Sequence, residues 1–450
     1  MDMCSQTSTF LGLSAYDWTF LVLLPVAKIL FIVAVVIGIY TPMATLVERK
    51  LSAAMQDRIG PNRAYIFKLG GKPVTLGGLF HTMADAAKMF MKEWVTPAAA
   101  DKPLFYLAPI LGLIPALVTF AVIPFGPPVT VCGRTVLLQI ADINVGILFI
   151  FALGSLGVYS AALAGWASNN KMALLGALRA SAQSISYEIT FGLTLVGLMM
   201  VFQTVQLDSM VTQQNSLAWG FIPKWGVFLQ PLGFILFFTA SMAENKRIPF
   251  DLPEGESEIV GYFVEYSSMG FGLFMTTEFI EMSVIGFMLT TLFFGGYTVP
   301  SYIASSNSLL GMSISWEGWA YAFWFLQLGA FFFKMTVLWL FQFVIRWALP
   351  RFRYDQLMHL GWRIMLPLSL VNIGVTAAAI LMPGDPVNNV LVSGLFMLGV
   401  FALSLFYSRT PTRAAAGHGH GHDDHGAHGH DSHGHDAHGH APAHAPAAHH

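Results

Sequence analysis

The sequence predicts an all-α, polytopic membrane protein with about nine transmembrane helices, its N-terminus outside and its C-terminus inside. Three observations carry this: an apolar composition, nine apolar segments of membrane-spanning length, and Lys and Arg confined to alternate connections. Of 450 residues, 55% are hydrophobic and 11% charged, against about 25% charged in an ordinary soluble domain. Residues 418–450 hold 13 of the 15 His and four Asp, so the preceding body is more apolar still. That body, to Arg413, carries a formal +2, and the tail brings the chain to −2. No strong field points to nucleic acid.

A hydrocarbon core about 30 Å thick takes about 20 apolar residues per helix. The candidate segments are 18–47, 104–125, 143–166, 182–203, 226–243, 259–296, 318–345, 364–382 and 387–407. Lys and Arg collect on the cytoplasmic side of membrane proteins. Nineteen of the 23 fall on one side: nine in 48–103, Lys171 and Arg179 in the third loop, Lys246 and Arg247 in the fifth, four in the seventh, and Arg409 and Arg413 after the last span. The opposite loops hold only Arg134 and Lys224, while Lys28 and Lys334 lie inside spans. The segment 259–296, at 38 residues, would make about 57 Å of helix. It reads as one strongly tilted or broken helix with Gly270 and Gly272 as bend points.

In the first cytoplasmic loop, Leu76, Leu79, Phe80, Met83, Ala87, Phe90 and Trp94 share one helical stripe, with His81, Asp85, Lys88 and Lys92 opposite. Residues 76–94 are expected as an amphipathic helix of about five turns lying on the membrane surface. The other reading is a helix packed within a soluble loop. The membrane domain is expected to run over 1–413. Residues 414–450 are a low-complexity tail expected to be disordered, with nothing to bury, which binds zinc, nickel or copper loosely, or is merely a solvated tail or an added affinity segment.

Cysteine content excludes other chemistry. With Cys4 and Cys132 alone, neither an iron-sulfur cluster on this chain nor a disulfide framework is expected, and no metal site is assigned in the body. There is no dinucleotide fingerprint, and Gly71-Lys72-Pro73 lacks the Ser or Thr of a phosphate loop. The first basic residue is Lys28, so no cleaved signal peptide is expected.

A charge at mid-bilayer costs at least ~2.5 kcal/mol on insertion scales. Glu188, Glu265, Glu278, Glu281, Lys28 and Lys334 fall in the apolar segments. Singly, each reads as a snorkelling group or a structural ion pair. Collectively they read otherwise. Glu244, Asp251, Glu254, Glu256, Glu258, Glu265, Glu278 and Glu281 crowd around only Lys246 and Arg247, a composition suited to a proton relay. Glu254, Glu258 and Glu265 have the spacing of one helical stripe.

The run Glu244-Asn245-Lys246-Arg247-Ile248-Pro249-Phe250-Asp251-Leu252-Pro253-Glu254-Gly255-Glu256-Ser257-Glu258 closely resembles the acidic loop of a family of membrane subunits, called H in bacteria and 1 in mitochondria, of proton-pumping NADH:quinone oxidoreductase, respiratory complex I. Three further stretches agree: Glu48-Arg49-Lys50 with Arg58-Ile59-Gly60-Pro61-Asn62; Gly165-Trp166-Ala167-Ser168-Asn169 with Gly176-Ala177-Leu178-Arg179 and Ser186-Tyr187-Glu188; and Pro350-Arg351-Phe352-Arg353-Tyr354-Asp355-Gln356-Leu357-Met358.

The resemblance implies that the first span, the surface helix and the sixth span frame an entrance for a lipid quinone. Arg49, Arg58, Phe250 and Asp251 match the quinone cavity. Asp85, Glu188, Glu244, Glu254, Glu256, Glu258, Glu265 and Glu278 match acids of a proton relay, with Arg179, Arg247 and Lys334 as charge partners. Helices two to six are similar to a half-channel of antiporter-like subunits. The resemblance also implies a bacterial inner membrane location, peripheral-arm quinone-site subunits and small membrane-arm subunits as partners, contact with membrane lipids, and NADH, FMN and iron-sulfur clusters carried by partner subunits, with none bound here. A ninth span after Pro383 and the His-rich tail depart from the mitochondrial form. The membrane subunit of a related ion-pumping hydrogenase or other quinone-reducing dehydrogenase is the alternative, and a free-standing secondary transporter is a third reading without an evident internal repeat.

Overall fold

The computed structural model describes residues 9–10, 13–14, 22–65, 68–69, 72–73, 75–131, 134–219, 222–253, 261–300, 304–305, 308–309, 312–313 and 319–408. Glu254, Glu256, Glu258 and the His-rich tail lie outside them. Met1–Ala402 form one unit; of the second, the helical residues to Ser408 are described.

The described chain is helical, with β structure limited to short hairpin ladders such as Val129–Val131 on Arg134–Val136. The helices are α1 (Leu24–Met55), α2 (Leu79–Met91), α3 (Lys102–Val122), α4 (Gly146–Ala167), α5 (Lys171–Phe202), α6 (Leu207–Gln213), α7 (Pro231–Glu244), α8 (Ser268–Phe293), α9 (Trp319–Ala348), α10 (Tyr354–Leu381) and α11 (Pro386–Ser408). Eight of them are long and apolar enough to cross a membrane, and α7 is a shorter apolar helix.

The innermost helix is α8. It is apolar all round, the pattern of a helix buried on every side, and every residue from Thr277 to Phe293 except Glu281 is buried. It packs on α1, α3 and α9. Tyr40 of α1 meets Phe287 of α8 and Trp339 of α9 edge-to-face, at 5.9 and 5.6 Å between centroids, and its hydroxyl bonds Thr336 Oγ1 at 3.2 Å. The second hub, α5, packs on α4, α7 and α10. Its first turn is capped by Asn170, whose side chain accepts from Met172 N at 3.0 Å, as an N-cap Asn does for the open end of a helix.

Several expected boundaries move. The first span continues to Met55, so Arg49 and Lys50 are helical. The fourth begins at Lys171, which puts Arg179 on α5 and not in a loop. The fifth breaks at Gln230, whose φ of −135° precedes Pro231; the proline ring disfavours helical backbone in the residue before it.

The expected helix over 259–296 is a 26-residue helix from Ser268 to Phe293, preceded by non-helical backbone with Gly261 at φ +119° and Ser267 extended. Its glycines are not bend points. A side chain at Gly270 would press on Tyr266 and Trp94, and one at Gly272 would meet Met89, so both allow α2 and its following loop to approach. Glu265 precedes this helix and shares no helical stripe with Glu278.

The surface helix is also shorter than expected, 13 residues from Leu79 to Met91, with Gly77 at φ +64° and Gly78 at +101° before it. Half of its polar face turns toward the protein while Lys88 and Lys92 are exposed: Asp85 pairs with Arg49 of α1 at 2.5 Å, and His81 Nε2 accepts from the backbone N–H of Arg63 and Ala64, both at 3.0 Å. Phe80 is buried, whereas Met83, Phe90 and Met91 are exposed.

Candidate functional site

On α1, Glu48, Arg49 and Ser52 line a cleft with Arg58, Arg63 and His81. The Gly60-Pro61 turn closes one wall, with Thr75 Oγ1 donating to Asn62 Oδ1 at 2.7 Å. A Cβ at Gly78 would strike the carbonyl of Pro61, so glycine is required there both for the close approach and for its positive φ. Arg58 Nε donates to Gln56 Oε1 at 2.6 Å. Phe250 and Asp251 are not among the cleft's described lining. Phe250 stacks on Phe352 at 5.5 Å, and buried Asp251 accepts from Arg351 at 2.9 Å.

From the cleft a line of charge runs inward. Glu48 accepts from Arg346 of α9 at 2.5 Å and from Arg247 at 3.0 Å, and Arg247 reaches Glu278 of α8 at 3.3 Å. Two arginines alternate with two glutamates, which offsets the desolvation of each group. Arg247 is only 4% exposed and lies 4.3 Å over the Phe279 ring. The loop that carries it is pinned by Gln183 of α5, whose Nε2 donates to Ala243 O and Phe250 O, both at 2.7 Å.

Beyond Glu278 the ladder gives way to two adjoining cavities. One is lined by Glu278, Glu281, Lys246 and Tyr262; the other by Glu281, Lys246, Glu244 and Asn245 within largely apolar walls from α3, α4 and α8. Glu188 of α5 is near enough to act electrostatically on Glu244. Among the described residues, Glu188, Glu244 and Glu281 have no ion pair or hydrogen bond, in contrast to Asp85, Glu48, Asp251 and Glu278.

The other expected site residues lie elsewhere. Glu265 accepts from Asn170 Nδ2 at 2.6 Å at the start of α5. Arg179 lies 5.9 Å from the Tyr354 ring. Lys334 donates to the carbonyls of Phe294, Gly296 and Thr298 at 2.7–3.0 Å and sits over Trp225 at 4.7 Å; among the described residues its partners are carbonyls and a ring, not a carboxylate. Lys28 is held similarly by Leu137 O and Gln139 O at 2.7 and 2.9 Å. Outside the spans, burial raises the proton affinity of the Tyr266 hydroxyl and of Asp208.

The family described as NADH dehydrogenase matches residues 27–377. The chain belongs to this family. Its relatives include an H subunit of the NADH-quinone oxidoreductase of Cytophaga hutchinsonii, 45% identical over 355 residues, covering 78% of this chain and 94% of the relative. An H subunit from Geobacter metallireducens is 44% identical over 352 residues (77% and 93%), and that of Flavobacterium johnsoniae is 39% identical over 364 (79% and 94%). The resemblance to the H-type membrane component of complex I is thereby shown, and with it the place of the chain as a membrane subunit of a multisubunit oxidoreductase. The sequence alone pointed to no site role for Glu48, Arg346, Lys246 or Asn245. Glu281 stands in the acidic group whose composition suits a proton relay, and its place three residues after Glu278 puts both on one side of a helix.

Proposed function

We propose that this chain forms the lipid-side entrance and part of the cavity for a quinone, and that it links quinone reduction to proton translocation through a carboxylate relay. One observation carries the reading: Glu48 lines the outer cleft and is also the first acid of the ladder that ends at Glu278, on one of the two inner cavities. Arg49, Arg58 and His81 supply donors and acceptors for a polar headgroup in the cleft. Exposed Met83, Phe90 and Met91 on α2 suit contact with acyl chains and an isoprenoid tail, as in a helix lying at the interface.

Reduction of a quinone to a quinol takes up two electrons and two protons. In this reading the electrons come from an iron-sulfur cluster on a peripheral-arm neighbour, and NADH and FMN are bound by other subunits. The change of charge beside Glu48 is felt along Arg247 and Glu278, and Glu281, Glu244 and Glu188 lie beyond. Glu254, Glu256 and Glu258 join the relay from the acidic loop, with Glu265 and Asp85 at its margins. The setting is a bacterial inner membrane with small membrane-arm subunits alongside.

The test is inhibitor-sensitive NADH:quinone activity and proton pumping in membranes from which this chain has been deleted. Activity that survives complete deletion refutes the proposal. Purification of the assembled complex discriminates the related case, since a nickel-iron catalytic subunit in place of NADH-binding and flavin subunits identifies an ion-pumping hydrogenase.

A further inference from the structure

The acids that the family resemblance matches to a relay include Glu278 and Glu244 but not Glu281. These two acids line different cavities: Glu278 belongs to the one beneath Tyr262, and Glu244 to the one walled by α3, α4 and α8. Among the described residues one acid lines both, Glu281, and one cation lines both, Lys246. Lys246 reaches this position because its backbone is left-handed, at φ +55°, directly after α7, which turns the side chain away from the loop where its neighbour Arg247 meets Glu48. Lys246 and Glu281 make no direct ion pair, so neither locks the other.

The packing of α4 leaves room at both carboxylates. Glu281 Oε1 lies 3.6 Å from where a Cβ at Gly157 would stand, and Glu244 Oε1 lies 3.6 Å from the same point at Gly154. Gly154 and Gly157 are one turn apart on α4, so the two acids face a single slot that side chains would narrow.

An independent observation points to water in this slot. Asn245 is 1% exposed and lines the cavity, yet neither its Oδ1 nor its Nδ2 has a partner, and the Oγ of Ser184, 2% exposed on the same lining, has none either. A buried amide is satisfied by protein or by ordered water, and Glu244 and Glu281 line the same cavity.

We propose that Glu281 is a further proton-carrying carboxylate of the relay, standing between Glu278 and Glu244, and that Lys246 is a positioning residue whose ammonium balances the charge of this stretch. The inference rests on the relay reading above. A proton leaving the Glu281 carboxyl passes to water held by Asn245 and Ser184, and that water gives a proton to the Glu244 carboxylate; no net charge is created, and Lys246 faces the stretch in both states. The remaining charged groups around it are Glu188 from α5, Arg247 from the loop and Glu278 from α8.

The test uses the assembled complex in membranes, with proton pumping and NADH:quinone turnover normalised to the content of this chain. Glu281→Gln is expected to lower pumping by about a hundredfold or more, the range of a lost acid-base group, while Glu281→Asp restores most of it. Lys246→Met also lowers pumping, and Lys246→Arg rescues it. The double variant loses much less than the product of the single losses, as coupled charges require. Should Glu281→Gln fail to assemble, the Lys246 variants and their Arg rescue carry the test. Normal pumping in assembled Glu281→Gln and Lys246→Met, with Glu244→Gln impaired, overturns this inference and leaves the relay standing. Normal pumping in all three overturns the relay itself.

Discussion

Glu48 Oε2 accepts a hydrogen bond from Arg247 Nη1 at 3.0 Å across 199 residues of sequence. The contact ties the C-terminal part of α1 to the loop between α7 and α8, and so ties the outer cleft to the helix that carries Glu278. Because Arg247 is almost fully buried, its charge is retained only by its partners.

Removing Arg247 therefore takes this arginine from the buried Glu278 carboxylate, while Glu48 keeps Arg346. Arg247→Ala is expected to cost about 3 kcal/mol or more and to lower the content of assembled complex before it lowers turnover per complex. Glu244→Gln is expected to behave in the opposite way. Glu244 has no ion pair to lose among the described residues, so assembly persists while pumping falls by about a hundredfold. Immunoblots of the content of this chain beside acridine-dye quenching in the same membranes separate the two.

Gly78 provides a test of the cleft. Its φ of +101° and the carbonyl of Pro61 exclude a Cβ, so Gly78→Ala is expected to destabilise the start of α2 by on the order of 1–3 kcal/mol, with loss of quinone affinity. Gly38→Ala, where nothing lies within 4 Å of the added atom, serves as the comparison. Thermal melting of the detergent-solubilised complex and the KM for a short-chain quinone report the difference.

Asp208 gives a pH dependence of defined sign. Burial raises its proton affinity, nearby Asp142 adds to this, and a hydrogen bond from the Tyr297 hydroxyl at 3.1 Å opposes it. The folded chain then binds the proton more readily than the unfolded one, so the associated stability is full below the ordinary carboxyl range and is lost as pH rises through the raised folded value. Asp208→Asn is expected to flatten this slope. Hydrogen exchange in Leu207–Gln213, followed as pH rises from the ordinary carboxyl range, measures it.

The charge distribution predicts a topology. A Cys at Asn169 is expected to be labelled from the cytoplasmic side and one at exposed Ser216, beyond α5, from the outer side. A membrane-impermeant maleimide applied to spheroplasts and to inverted vesicles reads both positions, and the reverse pattern contradicts the orientation.

By itself the sequence determined the helical membrane class, most of the spans and the family, because partition into a bilayer depends on the composition of each segment and family motifs are contiguous runs of residues. Helix ends followed less closely: α1 and α5 continue past their apolar cores, since amphipathic turns carrying Arg49 or Arg179 remain helical once packed. The acids were legible as a group, but their division was not. Only the tertiary structure decided that Glu48 and Glu278 share Arg247 while Glu244 and Glu281 face a glycine-lined slot with Lys246, because an ion pair between α1 and the α7–α8 loop depends on how distant helices pack, and no local periodicity encodes that distance.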